Sequence, residues 1–300
     1  MYIHVDDVRL FFDVEGAKFV PDGPVMRERP TILCLHGGPG LDQSTLRPAF
    51  SVLSQVSQVI YLDQRGHGRS DRSLPDQWSL ARWADDVLGF CQALDIQNPI
   101  VLGTSFGGYV AMKYASRYPE HPAKLVLIST SLRGTGHPQR RERVLGAFNR
   151  RGGPEASEAV RRAFDERTPE SLEAYRRVCG PLYTHTPPDI DALKRCIPSH
   201  DIIPFFERPG GEGVVFDLSA ELSAVRCPTL VIGGGDDPIT PVSEQQTIVD
   251  ALPRGLATLQ CFPHAGHGVV RDTPEPMFKT IMDFVMGEPV VRSLSTSPSE

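Results

Sequence analysis

The sequence predicts an α/β fold built on a mostly parallel sheet with helices on both faces. Short apolar runs of the buried-strand type recur along the chain, and helix-periodic stretches lie between them. Glycine-rich turns follow several of the runs directly, as they do where strands feed into helices.

Taken in order, residues 8–15 (VRLFFDVE) alternate loosely and read as a strand paired with residues 2–5. Arg29-Pro30 leads into the run 31–35 (TILCL), short and apolar throughout, as a strand buried on both faces should be. Residues 59–62, 100–102, 125–128 and 230–232 repeat that character, and 258–262 does so more weakly. Leu80, Ala84, Val87, Cys91 and Leu94 step by four and three, which makes one apolar helix stripe. Residues 106–118, 243–252 and 274–286 also read as helix.

The alternation stops between about 132 and 222. That stretch carries 14 Arg/Lys and 14 Asp/Glu, is interrupted by prolines, and is helical where it has any period. It is long enough to form a helical cap inserted over the sheet. The expected division is a core of residues 1–131 and 223–287, a cap at 132–222, and a mobile, functionally silent tail at 288–300. The aromatics Phe148, Phe164, Tyr175, Tyr183, Phe205, Phe206 and Phe216 are expected to pack the cap. The arginine-rich run 139–151 reads as a solvated helix face.

Three hundred residues suit one large domain or a core with an insertion, and need no disulfide or metal staple. Hydrophobic content of 40% and charged content of 23% are ordinary for a soluble protein. A net charge of −6 offers no basic surface for nucleic acid or an anionic membrane. The first seven residues have neither the basic nor the apolar region of a secretory signal, and no apolar run approaches a membrane span. Six scattered cysteines at 34, 91, 179, 196, 227 and 261 show no metal-ligand spacing. They read as free thiols, buried in the case of Cys34 and Cys227, in a reducing cytoplasm. No cofactor or metal is expected, and the oligomeric state is left open.

The chemistry centres on residues 99–108 (PIVLGTSFGG), a G-x-S-x-G segment between an apolar run and a helical stretch. That context turns a common pattern into evidence for a nucleophilic serine, Ser105, on a strained turn. Serine needs a base to take its proton and a third group to orient that base. His267 stands in 261–270 (CFPHAGHGVV), after the last strand and before the final helix; His264 is its rival. Asp237 follows the strand 230–232 through three glycines, and Pro238 biases it to an extended conformation. Asp236 equally fits a turn acid bonded to its own backbone. Residues 36–40 (HGGPG) supply a glycine turn after the strand 31–35. With the Phe106 amide, Gly38 is the expected oxyanion donor, and Gly37 is the second choice. His36 is expected to hold that loop by hydrogen bonds. Residues 63–70 (DQRGHGRS) read as a charged turn stapled by Asp–Arg pairs.

These pieces resemble the α/β-hydrolase superfamily over nearly the whole chain, and HGGPG with DQRGHGRS is most similar to proline iminopeptidases and their relatives. The resemblance implies an eight-stranded, mostly parallel sheet with an inserted helical cap. It places the nucleophile of G-x-S-x-G-G on Ser105, the acid of G-x-x-D on Asp237 and the base of G-H on His267. Some relatives carry the acid after an earlier strand, but residues 129–132 (STSL) hold no carboxylate. The family usually has Gly-Gly-Ser-Trp-Gly at the elbow, where this chain has Gly103-Thr104-Ser105-Phe106-Gly107. Iminopeptidases also use glutamates to bind a substrate ammonium. One typical position, just after the acid, is Pro238 here, and Glu207, Glu212 and Glu221 remain unassigned.

The expected function is a cytoplasmic serine hydrolase acting on a small ester, lactone or amide through an acyl-enzyme. Its partner is a small-molecule or short-peptide substrate, with no nucleic acid and no membrane. The alternatives are a proline iminopeptidase, a non-catalytic ligand receptor on the same fold, and an acyltransferase with an acceptor other than water.

Overall fold

The computed structural model describes residues 1–288 and residue 290, so the expected tail lies otherwise outside the described residues. The strands are β1 (Tyr2–Val5), β2 (Val8–Glu15), β3 (Phe19–Asp22), β4 (Val25–Glu28), β5 (Thr31–Leu35), β6 (Gln58–Leu62), β7 (Ile100–Thr104), β8 (Lys124–Ile128), β9 (Thr229–Gly234) and β10 (Ala257–Phe262). Among the described residues eight of them form one sheet in the order β1-β2-β6-β5-β7-β8-β9-β10. β1 and β2 are antiparallel, β2 runs antiparallel to β6, and every pair from β6 to β10 is parallel. The sheet is that of an α/β-hydrolase fold. β3 and β4 form a separate antiparallel hairpin that the sequence reading did not anticipate. Its signal was present in Pro21-Asp22-Gly23, where Gly23 takes φ +58° at the turn.

Alternate residues of each central strand face opposite layers. Leu33, Leu35, Val101, Leu125, Leu127 and Val231 join one core cluster. Ile32, Cys34, Ile100, Leu102, Val126, Ile128, Leu230 and Ile232 join the other. A strand buried on both faces therefore has no polar alternation, which is why these runs are apolar throughout.

The helices are α1 (Leu80–Ala93), α2 (Phe106–Arg117), α3 (Pro138–Asp165), α4 (Pro169–Cys179), α5 (Ile190–Arg195), α6 (Ile202–Phe206), α7 (Glu212–Val215), α8 (Val242–Ala251), α9 (Val269–Asp272) and α10 (Pro274–Met286). α1, α2 and α8 cover the first face of the sheet, and α10 covers the second together with the 3-10 segment Ala49–Gln55. α1 is capped by the Ser79 hydroxyl, which accepts the Arg82 amide. No helix among the described residues is long and apolar enough to cross a membrane.

Between β8 and β9 the chain leaves the sheet and forms α3 to α7. α3 is two helices joined at Gly153, whose φ of +72° breaks the helix just before Pro154. The expected solvated face at 139–151 holds for Gln139, Glu142, Asn149 and Arg150, which are exposed, and is corrected for Arg140 and Arg143. Arg140 is buried, donating to the Arg133 carbonyl at 2.5 Å and to the Tyr109 hydroxyl at 3.1 Å. Arg143 pairs with the buried Glu244 of α8 at 2.7 Å. One charged sequence run thus carries both a solvated face and two arginines turned to polar partners beneath the helix.

The turn 63–70 is stapled by Asp–Arg pairs, Arg65 with Asp86 and Arg69 with Asp42 at 3.6 Å, and by backbone amides as well. Asp63 accepts the amides of Gln43 and Arg69 at 2.9 and 2.8 Å, loop donors that need a partner where they are buried. Arg65 reaches Asp86 of α1, with two contacts of 2.7 Å and both groups buried.

Candidate active site

Ser105 stands between the end of β7 and the start of α2 with φ +49° and ψ −114°, a conformation rare outside glycine. The turn closes because Gly103 and Gly107 have no Cβ. One on Gly103 would overlap the Gly107 carbonyl, and one on Gly107 would overlap the Leu35 carbonyl of β5. The strain is held by fixed bonds. The Ser105 amide donates to the Ile128 carbonyl at 2.9 Å, and the Thr130 hydroxyl donates to the Ser105 carbonyl at 2.8 Å.

His267 comes from the loop after β10, and its Nε2 lies 3.2 Å from Ser105 Oγ. On the far side of the ring, Nδ1 lies 2.9 Å from Asp237 Oδ2. Asp237, from the loop after β9, is buried and fully used. Its Oδ1 accepts the amides of Ile239 and Thr240 at 2.8 and 2.9 Å, and its Oδ2 accepts the Thr240 hydroxyl at 2.7 Å. Burial pushes this carboxyl up, but His267 and the Thr240 donors outweigh it and hold it below the usual carboxylate range. An ionised Asp237 fixes a proton on Nδ1 and leaves the Nε2 lone pair toward the serine. Thr240 was missed in the sequence, although Asp followed by Thr three residues later is a recognisable turn signal.

The rivals separate cleanly. His264 is exposed and stands apart from this relay. Asp236 is exposed, and its carboxylate bonds His185 at 2.8 Å rather than its own turn. The amides of Gly37, Gly38 and Phe106 have no protein acceptor among the described residues. Gly38 takes φ +130°, where a Cβ would crowd the amides of Gly40 and Leu41. Gly37 backs onto the elbow, 3.5 Å from Ser105 Cβ when a Cβ is built on it. The Phe106 ring is buried against Trp83, His67 and Phe206 at 5.0, 5.6 and 5.6 Å.

His36 and His67 lie under the glycine loop with ring centroids 5.0 Å apart. His36 Nδ1 contacts the Gly37 carbonyl at 2.9 Å, and its Nε2 accepts the Gln64 amide at 3.3 Å, an arrangement that suits a neutral ring. Burial pushes His36 down to about 4 and His67 well below its ordinary value. Protons therefore bind these residues in the unfolded chain before the folded one. The contribution of His36 to stability is complete above about pH 6.5 and is lost as pH falls toward 4, by about 2 kcal/mol at pH 5, and His67 acts in the same direction. Urea unfolding at pH 7 and pH 5 should show this drop, and equal stability at the two pH values would refute it.

A cavity of ≈ 540 Å³ lies beside Gly40 and Leu41 of the glycine loop, walled by Phe164, Leu172, Tyr175, Ile203 and Glu207 among others. The helical segment also reaches His267 itself. The His267 amide donates to the Tyr183 carbonyl at 2.6 Å, the Tyr183 ring meets the imidazole edge-on at 6.1 Å, and the Tyr175 and Tyr183 hydroxyls are bonded. No sequence pattern signals these contacts.

Residues 30–272 match a family model described as alpha/beta hydrolase fold. The protein named "Putative carbamate hydrolase RutD" of Caulobacter sp. (strain K31) is 25% identical over 279 residues, covering 85% of this chain and 95% of that one. Proline iminopeptidase PfmaB of Pestalotiopsis fici is 27% identical over 277 residues, covering 86% and 92%. The crystal structure of proline iminopeptidase from Mycobacterium smegmatis matches with a TM-score of 0.76 and 21% identity, covering 96% of this chain and 97% of that one. At that identity the likeness is one of fold.

Proposed function

The chain belongs to the alpha/beta hydrolase family, and from that premise we propose that it is a serine hydrolase cleaving a small-molecule ester, lactone or amide through an acyl-enzyme. The observation that carries this is the relay from Asp237 through His267 to Ser105, with contacts of 2.9 and 3.2 Å. Ser105 Oγ attacks the acyl carbon while His267 Nε2 takes its proton. The negative charge that forms on the carbonyl oxygen is held by the Phe106 amide and by Gly38, with Gly37 the second choice. His267 then gives the proton to the leaving group, and water enters through the same base to release the acid. Asp237 keeps the ring in the productive tautomer and offsets the charge of the imidazolium.

Residues 132–222 serve in this proposal as a cap, and the cavity beside the glycine loop takes the apolar part of the substrate. Its aliphatic and aromatic walls suit a group larger than acetyl. The free thiols of Cys34, Cys91, Cys179, Cys196 and Cys227 fit a reducing, cytoplasmic setting.

One observation favours iminopeptidase activity as a second reading. Of the three unassigned glutamates, Glu212 accepts the Leu80 amide at 2.8 Å and Glu221 pairs with Lys113 at 2.7 Å. Glu207 alone of the three lines the cavity. Its carboxylate, however, already accepts the Thr135 hydroxyl at 2.8 Å and lies 3.9 Å from the Arg167 guanidinium, which opposes a substrate ammonium. The comparison to run is p-nitrophenyl butyrate against prolyl naphthylamide, with the Ser105→Ala protein as control. We expect kcat/KM for the ester to exceed that for the prolyl amide at least tenfold, and the reverse order would favour the peptidase.

A further inference from the structure

We propose that Asp272 is a positioning residue for His267, binding the segment 183–186 of the helical insertion to the loop that carries the histidine. This rests on the acyl-transfer reading above. Asp272 closes α9, five residues beyond His267. Its Oδ2 accepts the Gly266 amide at 2.8 Å, its Oδ1 accepts the Thr186 amide at 2.7 Å, and both oxygens lie 3.1 Å from the His185 amide. One carboxylate thus gathers three backbone donors from two segments about 80 residues apart.

The loop is held at consecutive residues. Gly266 donates to Asp272, and His267 donates to the Tyr183 carbonyl at 2.6 Å, two residues before the amides that Asp272 also holds. The two segments are in close contact there, since a Cβ on Gly266 would overlap the Tyr183 carbonyl. The result is a closed ring of hydrogen bonds around the backbone that aims the imidazole.

Packing holds the start of this segment, where Tyr183 meets Phe148, Tyr175 and the His267 ring, but it does not hold residues 185–186. His185 and Thr186 are exposed, and residues 187–191 are exposed as well. Beyond Tyr183 the other ties are weaker or solvated: His185 to the exposed Asp236 and to Arg151, the Thr186 hydroxyl to the Arg271 carbonyl at 3.3 Å, and Arg271 to the Thr184 hydroxyl at 3.4 Å. Hydrogen bonds to an ionised acceptor are stronger than neutral ones, so the carboxylate is the principal fastening. Burial pushes the Asp272 carboxyl up, and the three amides reverse this and hold it below the ordinary range. Asp272 touches neither Ser105 nor the imidazole, and acts through the position of His267 alone. Catalytic constellations tolerate misplacement of only about 0.5 Å, and a shift of about 1 Å can cost a factor of about 10² in rate.

The test compares wild type with Asp272→Asn, Asp272→Glu, Thr186→Pro and the Asp272→Asn/Thr186→Pro double variant. Active sites are titrated with a fluorophosphonate, so that turnover of p-nitrophenyl butyrate and the labelling rate constant refer to competent enzyme only. Asp272→Asn should lower both quantities about 10–100-fold per titrated site, with KM changed less than about threefold. Asp272→Glu should restore part of the loss. Thr186→Pro removes one of the insertion's two amides on Asp272, together with the Thr186 hydroxyl, so it should lower both rates without disturbing the Gly266 bond. The double variant should add little to Asp272→Asn, as expected for members of one network. Variants that lose folded fraction but keep wild-type rates per titrated site would overturn the proposal and leave Asp272 a stability residue. A wild type that neither labels nor turns over would overturn the acyl-transfer reading and this proposal with it.

Discussion

Replacing Ser105 with alanine should lower kcat by about 10⁴–10⁶-fold and leave the fold intact. The size follows from losing the attacking atom, since triads of this type fall to residual catalysis from binding and the oxyanion donors when one member goes. The intact fold follows from what the hydroxyl touches: among the described residues Oγ bonds only the His267 ring. The bonds that hold the strained turn belong to the Ser105 backbone, which alanine keeps. Melting temperature and p-nitrophenyl butyrate turnover measured on the same preparation check both halves. A variant retaining a tenth of the rate would place the nucleophile elsewhere.

Asp237→Asn is expected to lower kcat by about 10⁴-fold, a loss seen for the equivalent change in a chymotrypsin-type triad. The carboxamide retains one oxygen for the amides of Ile239 and Thr240. Its NH₂ then faces His267 Nδ1, where Oδ2 now stands at 2.9 Å. That donor drives the imidazole to the tautomer with its proton on Nε2, which points at Ser105 and cannot accept. The wild-type carboxyl lies below its unfolded value, so it contributes stability at neutral pH that is lost as pH falls through its folded pKa. The variant should therefore be modestly less stable at pH 7 and lose less on acidification. Single-turnover acylation separates the kinetic effect from the stability effect, and an acylation rate within tenfold of wild type would contradict the assigned role of Asp237.

Much of the sheet was legible because burial on both faces writes itself into sequence as unbroken apolar runs, as at 31–35 and 230–232. α10 was readable to its ends because Pro274 can start a helix and Gly287, at φ +82°, stops it. Ser105, Asp237 and His267 could be picked out because each follows its own strand, and parallel strands deliver the following loops to one edge. What stayed hidden depends on distant partners. Nothing local marks Arg140 as buried, since its neighbours in sequence are charged and its partners are the Arg133 carbonyl and the Tyr109 hydroxyl. The contacts of Tyr183 and Asp272 are made with backbone groups, which every residue carries and no pattern distinguishes.

The central claim is that Ser105 is an acylated nucleophile, and covalent labelling tests it most directly. Incubation with a fluorophosphonate, followed by proteolysis and mass spectrometry, should find one adduct per chain on the peptide containing Ser105. The adduct should be absent from the Ser105→Ala protein and formed at least a hundredfold more slowly in Asp237→Asn. Native protein that remains unlabelled, or is labelled at another residue, would contradict the account.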